Sequence, residues 1–86
     1  MGMNNKDKYD RIFQDCFSIG RNQLNGKLEY NSIKEWDSIG HMGMVAAIEE
    51  TFDIMMETDD ILDFGSYKKG FELLAKYGVK FELVNI

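Results

Sequence analysis

Tyr9, Ile12, Phe13, Cys16 and Phe17 recur at three- and four-residue steps. That spacing predicts a helix over about 5–17 with one apolar stripe. Cys16 falls in the stripe and reads as a small core residue, and Gly20 reads as the stop. The period is then lost over 18–37, where Gly20, Asn22, Asn25, Gly26, Asn31 and Ser32 are turn formers. Leu24, Leu28, Tyr30, Ile33 and Trp36 are apolar anchors scattered through that loop. Twenty residues is long for a connection in so short a chain. The loop is therefore expected either to be pinned to the core by those anchors or to fold as a hairpin across Asn25-Gly26.

A second helix is predicted over about 38–52. Asp37 is its N-cap and Ser38 lies in its first turn. Ile39, Met42, Val45, Ile48 and Phe52 form its stripe, with Glu49 and Glu50 beside it. Gly40 and Gly43 weaken such a helix by up to about 1 kcal/mol each relative to alanine, a cost that asks for a reason. Thr58 is a candidate cap for a short helix over about 59–63. Ser66 is a candidate cap for a fourth helix over about 67–77, with Tyr67, Phe71, Leu74 and Ala75 as its stripe and Gly78 as its C-terminal stop. The tail, 79–86, alternates apolar and polar residues, so it either runs extended or docks on the helices. No segment sustains the alternation a sheet needs, and no proline or internal repeat is present. The expected fold class is all-α: four helices, the third short, in an antiparallel-type bundle.

Composition narrows the function. With 86 residues the chain has room for one domain. Its six Phe, four Tyr, one Trp and six Met suffice for a compact core. A formal net charge of −5 argues against nucleic acid and anionic membranes as partners and favours basic proteins. Cys16 is the only cysteine, so no intrachain disulfide is possible and a cytoplasmic setting fits. The first ten residues hold no apolar run of signal-peptide type, and no stretch approaches a membrane span.

All ten basic residues lie outside 35–67, a stretch that holds Glu35, Asp37, Glu49, Glu50, Asp53, Glu57, Asp59, Asp60 and Asp63. Such a run is either a solvated face or a one-signed docking surface. Within it, Ser38 opens a helix whose N-terminus presents unpaired N–H groups and partial positive charge, a place that suits a phosphate. On these grounds alone Ser38 reads as a capping-region hydroxyl. Asp37, Ser38 and His41 are the residue types of a catalytic triad, but Asp37 at the cap is poorly placed to orient the imidazole, and no nucleophile elbow is present. A calcium loop beginning at Asp59 fails, with Ile61 at a ligand position and Phe64 at the required glycine. One His and one Cys in different elements make no zinc ligand set.

The run Asp37-Ser38-Ile39, with Met42 and then Val45-Ala46-Ala47-Ile48-Glu49-Glu50-Thr51-Phe52, resembles the attachment motif of the acyl carrier and peptidyl carrier protein family. Ile54, Thr58-Asp59-Asp60-Ile61 and Ser66-Tyr67 are similar in character to that family's third and fourth helices, and the resemblance spans roughly 9–77. It implies a four-helix bundle of acyl-carrier-protein type, with Ser38 esterified by 4′-phosphopantetheine drawn from coenzyme A. Asp37 is then the helix cap that helps a phosphopantetheinyl transferase position its metal and phosphate. Ile39, His41, Glu49, Glu50, Asp59 and Asp60 would dock partners: loading ligases for acyl or aminoacyl groups and transferases with basic patches. His41 is expected at the surface near the arm. Such carriers act as monomers and catalyse nothing themselves. Fatty-acid carriers of the family often have acidic residues after the serine triplet, where this chain has Gly40, His41 and Gly43. The run Trp36-Asp37-Ser38-Ile39-Gly40-His41-Met42 looks more like stand-alone carriers of specialised biosynthetic pathways. A housekeeping fatty-acid carrier, and an unmodified helical adaptor using Met44, Met55 and Met56 as a soft surface, are the alternatives.

Overall fold

A computed structural model describes residues 3–81. Four α-helices carry the chain: α1 (Asn5–Phe17), α2 (Ser38–Phe52), α3 (Thr58–Asp63) and α4 (Tyr67–Lys76), with a single 3₁₀ turn at Arg21–Gln23. Among the described residues there is no strand; one isolated antiparallel bridge joins Glu29 to Ser66.

Local chemistry sets the helix ends. Asn4 accepts the Asp7 N–H at 2.8 Å to start α1, and Ser18, not Gly20, ends it by turning left-handed at φ 53°. Ser66 accepts the Lys69 N–H at 2.9 Å to start α4. At the other end Gly78, with φ +86°, and Val79 donate to the Ala75 and Leu74 carbonyls. Those paired bonds make a Schellman stop that only a residue tolerant of positive φ completes readily. α3 opens at Thr58 itself, with Glu57 as its N-cap residue and no side-chain capping bond.

The core is aromatic. Tyr9, Phe13, Phe17, Trp36 and Phe64 are fully buried, with Met44, Val45, Ile48, Leu73 and Leu74 around them. α1 and α4 are joined by a buried polar chain. The Tyr9 hydroxyl donates to the Tyr67 carbonyl at 2.6 Å. The Tyr67 hydroxyl donates to Asp10 at 2.6 Å, and Lys6 pairs with the other Asp10 oxygen at 2.7 Å. Gly70 lets this happen, because a Cβ there would run into the Tyr9 hydroxyl and the Phe64 ring.

The long loop is pinned, not a hairpin. Leu28 and Trp36 are buried, and the Tyr30 N–H and Leu28 carbonyl bond to Gly65 and Tyr67 across the α3–α4 connection. Cys16 differs from its expected place: it is exposed, because the buried face of α1 is set by Tyr9, Ile12, Phe13 and Phe17. α2 differs too. Its buried residues are Met44, Val45 and Ile48, whereas Ile39 and Met42 are 83% and 55% exposed. Val45, Ile48 and Phe52 of the expected stripe do face the core, but its first half does not, and α2 carries apolar side chains on its outer face as well. Of the tail, Val79 is buried and the Phe81 ring packs against Tyr9, Phe52 and Phe71. This part docks on the helices; 82–86 lie outside the described residues.

Candidate functional site

The site is built around the first turn of α2. Asp37 holds an extended backbone, and its Oδ1 accepts the Gly40 N–H at 2.8 Å. Its carbonyl accepts the His41 N–H at 2.8 Å. Ser38 is the first helical residue and is exposed, with its Oγ 3.0 Å from the Tyr30 hydroxyl. The glycine at position 40 has its reason here. The Glu35 carbonyl occupies the space a Cβ would take, and the Phe17 ring lies just beyond. Nothing crowds Gly43.

A groove of about 450 Å³ runs from Ser38 between α2 and α3, lined by Tyr30, His41, Met42, Leu62, Phe64 and Gly65. Phe64 and His41 meet edge-on at 6.2 Å, and Tyr30 meets His41 edge-on at 5.7 Å. The lining is apolar apart from the two hydroxyls and the imidazole. Leu62 in that lining is 76% exposed, and Ile39, next to Ser38, is 83% exposed. The groove offers an uncharged cleft that begins at a serine hydroxyl.

His41 is not the surface residue expected of it. It is half-buried, with the Trp36 indole N–H donating to Nδ1 at 2.9 Å and Nε2 lying 2.8 Å from the Ile61 carbonyl. Trp36 can only donate and a carbonyl can only accept, so the imidazole is neutral with its proton on Nε2. Neither nitrogen is left for Ser38, and the Asp37 carboxylate faces Gly40, so the three residues do not assemble as a triad.

The acidic residues divide. Glu50 and Asp59 are exposed. Glu49 is half-buried, and one of its oxygens accepts the Met56 N–H at 2.9 Å, bracing the turn after α2. Asp60 is buried, with one oxygen bound to Lys76 at 2.7 Å and the other to the Tyr77 hydroxyl. The Lys76 hydrogen bond first, and then the Tyr77 one, hold its carboxyl below the usual carboxylate range. Asp60 therefore clamps α3 to α4 rather than facing solvent. Met44 and Met56 are likewise core residues, while Met55 is exposed. Among the described residues no cluster of three His, Cys, Asp or Glu is placed to hold a metal ion, and no helix is long and apolar enough to cross a membrane.

Tyr30, expected only as an anchor of the loop, and Leu62 and Phe64 line a groove that the sequence does not announce. Packing between elements far apart in the chain brings these residues together, which no local spacing shows. Comparison with protein-family models, with curated proteins and with solved structures finds no match to this chain.

Proposed function

We propose that the chain is an acyl-carrier-type protein that bears a 4′-phosphopantetheine arm on Ser38. The observation that carries the reading is an exposed serine at the first position of α2, capped by Asp37 and opening directly onto an apolar groove. The residues fit the group. The Ser38 hydroxyl is accessible, the first-turn N–H groups favour a phosphate beside it, and the uncharged groove suits an arm that carries no charge beyond its phosphate. In attachment, the Ser38 Oγ forms a phosphodiester with the pantetheine-bearing phosphate of coenzyme A. The pyrophosphate bond breaks, adenosine 3′,5′-bisphosphate leaves, and the serine proton passes to a base of the transferase. When bound, the arm supplies a thiol that holds an acyl or aminoacyl group as a thioester.

Asp37 holds the turn that presents Ser38. Ile39, Met42 and Leu62 form an apolar docking face, and the exposed Glu35, Glu50 and Asp59 add acidic charge for partners with an apolar patch flanked by Lys and Arg. The uncharged Gly40-His41-Met42-Gly43 run after Ser38 favours partners of a specialised pathway over housekeeping fatty-acid enzymes.

Intact mass tests the reading. Incubation with coenzyme A and a promiscuous phosphopantetheinyl transferase is expected to add one arm to the parent chain and none to Ser38→Ala. No gain by the parent chain beside a control carrier that is modified would sink the proposal and leave the adaptor reading.

A further inference from the structure

His41 ties three parts of the fold together. Its ring is on α2, it accepts from Trp36 at the end of the long loop, and it donates to the Ile61 carbonyl of α3. Trp36 stacks nearly parallel to it, 16° between planes at 6.2 Å. Both α3 and the loop form walls of the groove at Ser38. We propose that His41 is a proton-sensitive latch: its neutral imidazole holds the groove closed to its present width, and its protonation frees the α2 side of α3.

The chemistry is one of donors and acceptors. Protonation converts Nδ1 from acceptor to donor, so two N–H groups face each other. The Trp36 indole is fully buried, and its single N–H is spent on His41. A buried donor left without a partner costs about 1–3 kcal/mol, and the strain is relieved by moving the imidazole, which takes the Ile61 bond with it. Few charges oppose this. From the loop, the titratable group facing the ring is Tyr30. From α3 and the turn beyond it the facing groups are the Ile61 carbonyl and Phe64; from α2 it is the Asp37 carbonyl at the His41 N–H. Two α3 carboxylates are engaged elsewhere, Asp60 with Lys76 at 2.7 Å and Asp63 with Lys69 at 3.6 Å, and the third, Asp59, is exposed. Among the described residues no carboxylate pairs with the ring.

The far side of α3 stays anchored. Asp60 keeps its bonds to Lys76 and Tyr77 through the range in which an imidazole ordinarily changes charge, because its carboxyl is held low. Release at His41 thus pivots α3 about the Asp60 clamp and widens the groove. The latch stands whether or not Ser38 carries an arm.

Amide and indole hydrogen exchange on the unmodified chain tests it. From about pH 7.5 to about pH 5, the span in which imidazole titrates, the protection factor of the Trp36 indole N–H is expected to fall roughly tenfold, the loss due to one hydrogen bond. The α3 amides should fall with it, while α1 and α4 amides keep their protection. His41→Gln retains an acceptor and a donor without a titrating group, and its protection should be flat over the same span. Trp36→Phe removes the opposed donor, so the α3 amides of that variant should also be flat. Unchanged protection in the parent chain, equal loss in His41→Gln, or loss shared by α1 and α4 would each overturn the latch.

Discussion

The Glu35 carbonyl oxygen sits where a side chain at position 40 would have to be. The close approach brings the end of the long loop onto the first turn of α2 and so holds Asp37 and Ser38 in place. Gly40→Ala is expected to destabilise the chain by about 1–3 kcal/mol, the usual cost of forcing an atom into a packed site. Gly43 is three residues on with open space around it, and Gly43→Ala is expected to stabilise by about 0.5–1 kcal/mol through helix propensity. Urea midpoints of the two variants check the pair, and effects of the same sign would refute the assignment.

Asp37 holds the start of α2 through one bond to Gly40. Asp37→Ala is expected to cost about 0.5–2 kcal/mol, and Asp37→Asn, which keeps the accepting oxygen, much less. Thermal unfolding of both separates the capping role from any role at a modifying enzyme, because a carboxylate required by the transferase slows arm addition in Asp37→Asn despite normal stability.

Acid should act on α3 and α4 in a defined direction. The Asp60 carboxyl is lowered in the folded chain. Its contribution to stability is therefore complete above the ordinary carboxylate range and is lost as pH falls through the lowered folded value. Asp60→Asn is expected to reduce Tm near neutrality and to shrink the Tm difference between about pH 7 and about pH 3. An unchanged difference would show that the clamp carries no acid dependence.

Alkali acts in the opposite sense on α1 and α4. Burial, and then the hydrogen bond to Asp10, push the Tyr67 phenol up. Its contribution is complete below the ordinary phenol value of about 10 and is lost as pH rises above it toward the raised folded value. Tyr67→Phe leaves one Asp10 oxygen without its donor and is expected to cost about 1–3 kcal/mol at neutral pH, read from denaturant midpoints.

Cys16 is exposed, so an aromatic disulfide reagent should titrate one thiol in the native chain without denaturant. Partial burial, and then the Asp15 carboxylate, push that thiol up. Reaction near pH 8 should be slower than for free cysteine, since only the thiolate attacks. Reaction seen only after unfolding would place the side chain in the core instead.

The helical periods of α1 and α2, the caps at Asp37 and Ser66, the stop at Gly78 and the exposed serine opening α2 were all legible in the sequence. Each depends on residues within a few positions of one another, and local backbone chemistry is written locally. The inward face of α2 was legible only in part, at Val45, Ile48 and Phe52. A helix that is apolar on more than one side has no unique inward direction until its partners choose one, and here the aromatic core chose Met44, Val45 and Ile48 and left Ile39 and Met42 outside. The same dependence explains Cys16, which shares the spacing of a stripe without sharing its contacts. Asp60 and His41 looked like surface groups because Lys76 with Tyr77, and Trp36 with Ile61, meet them only across turns and loops. Sequence alone therefore determined the helices and singled out Ser38. Tertiary packing decided what surrounds that serine: the carbonyl that requires Gly40, the imidazole that ties α3 to the loop, and the groove between them.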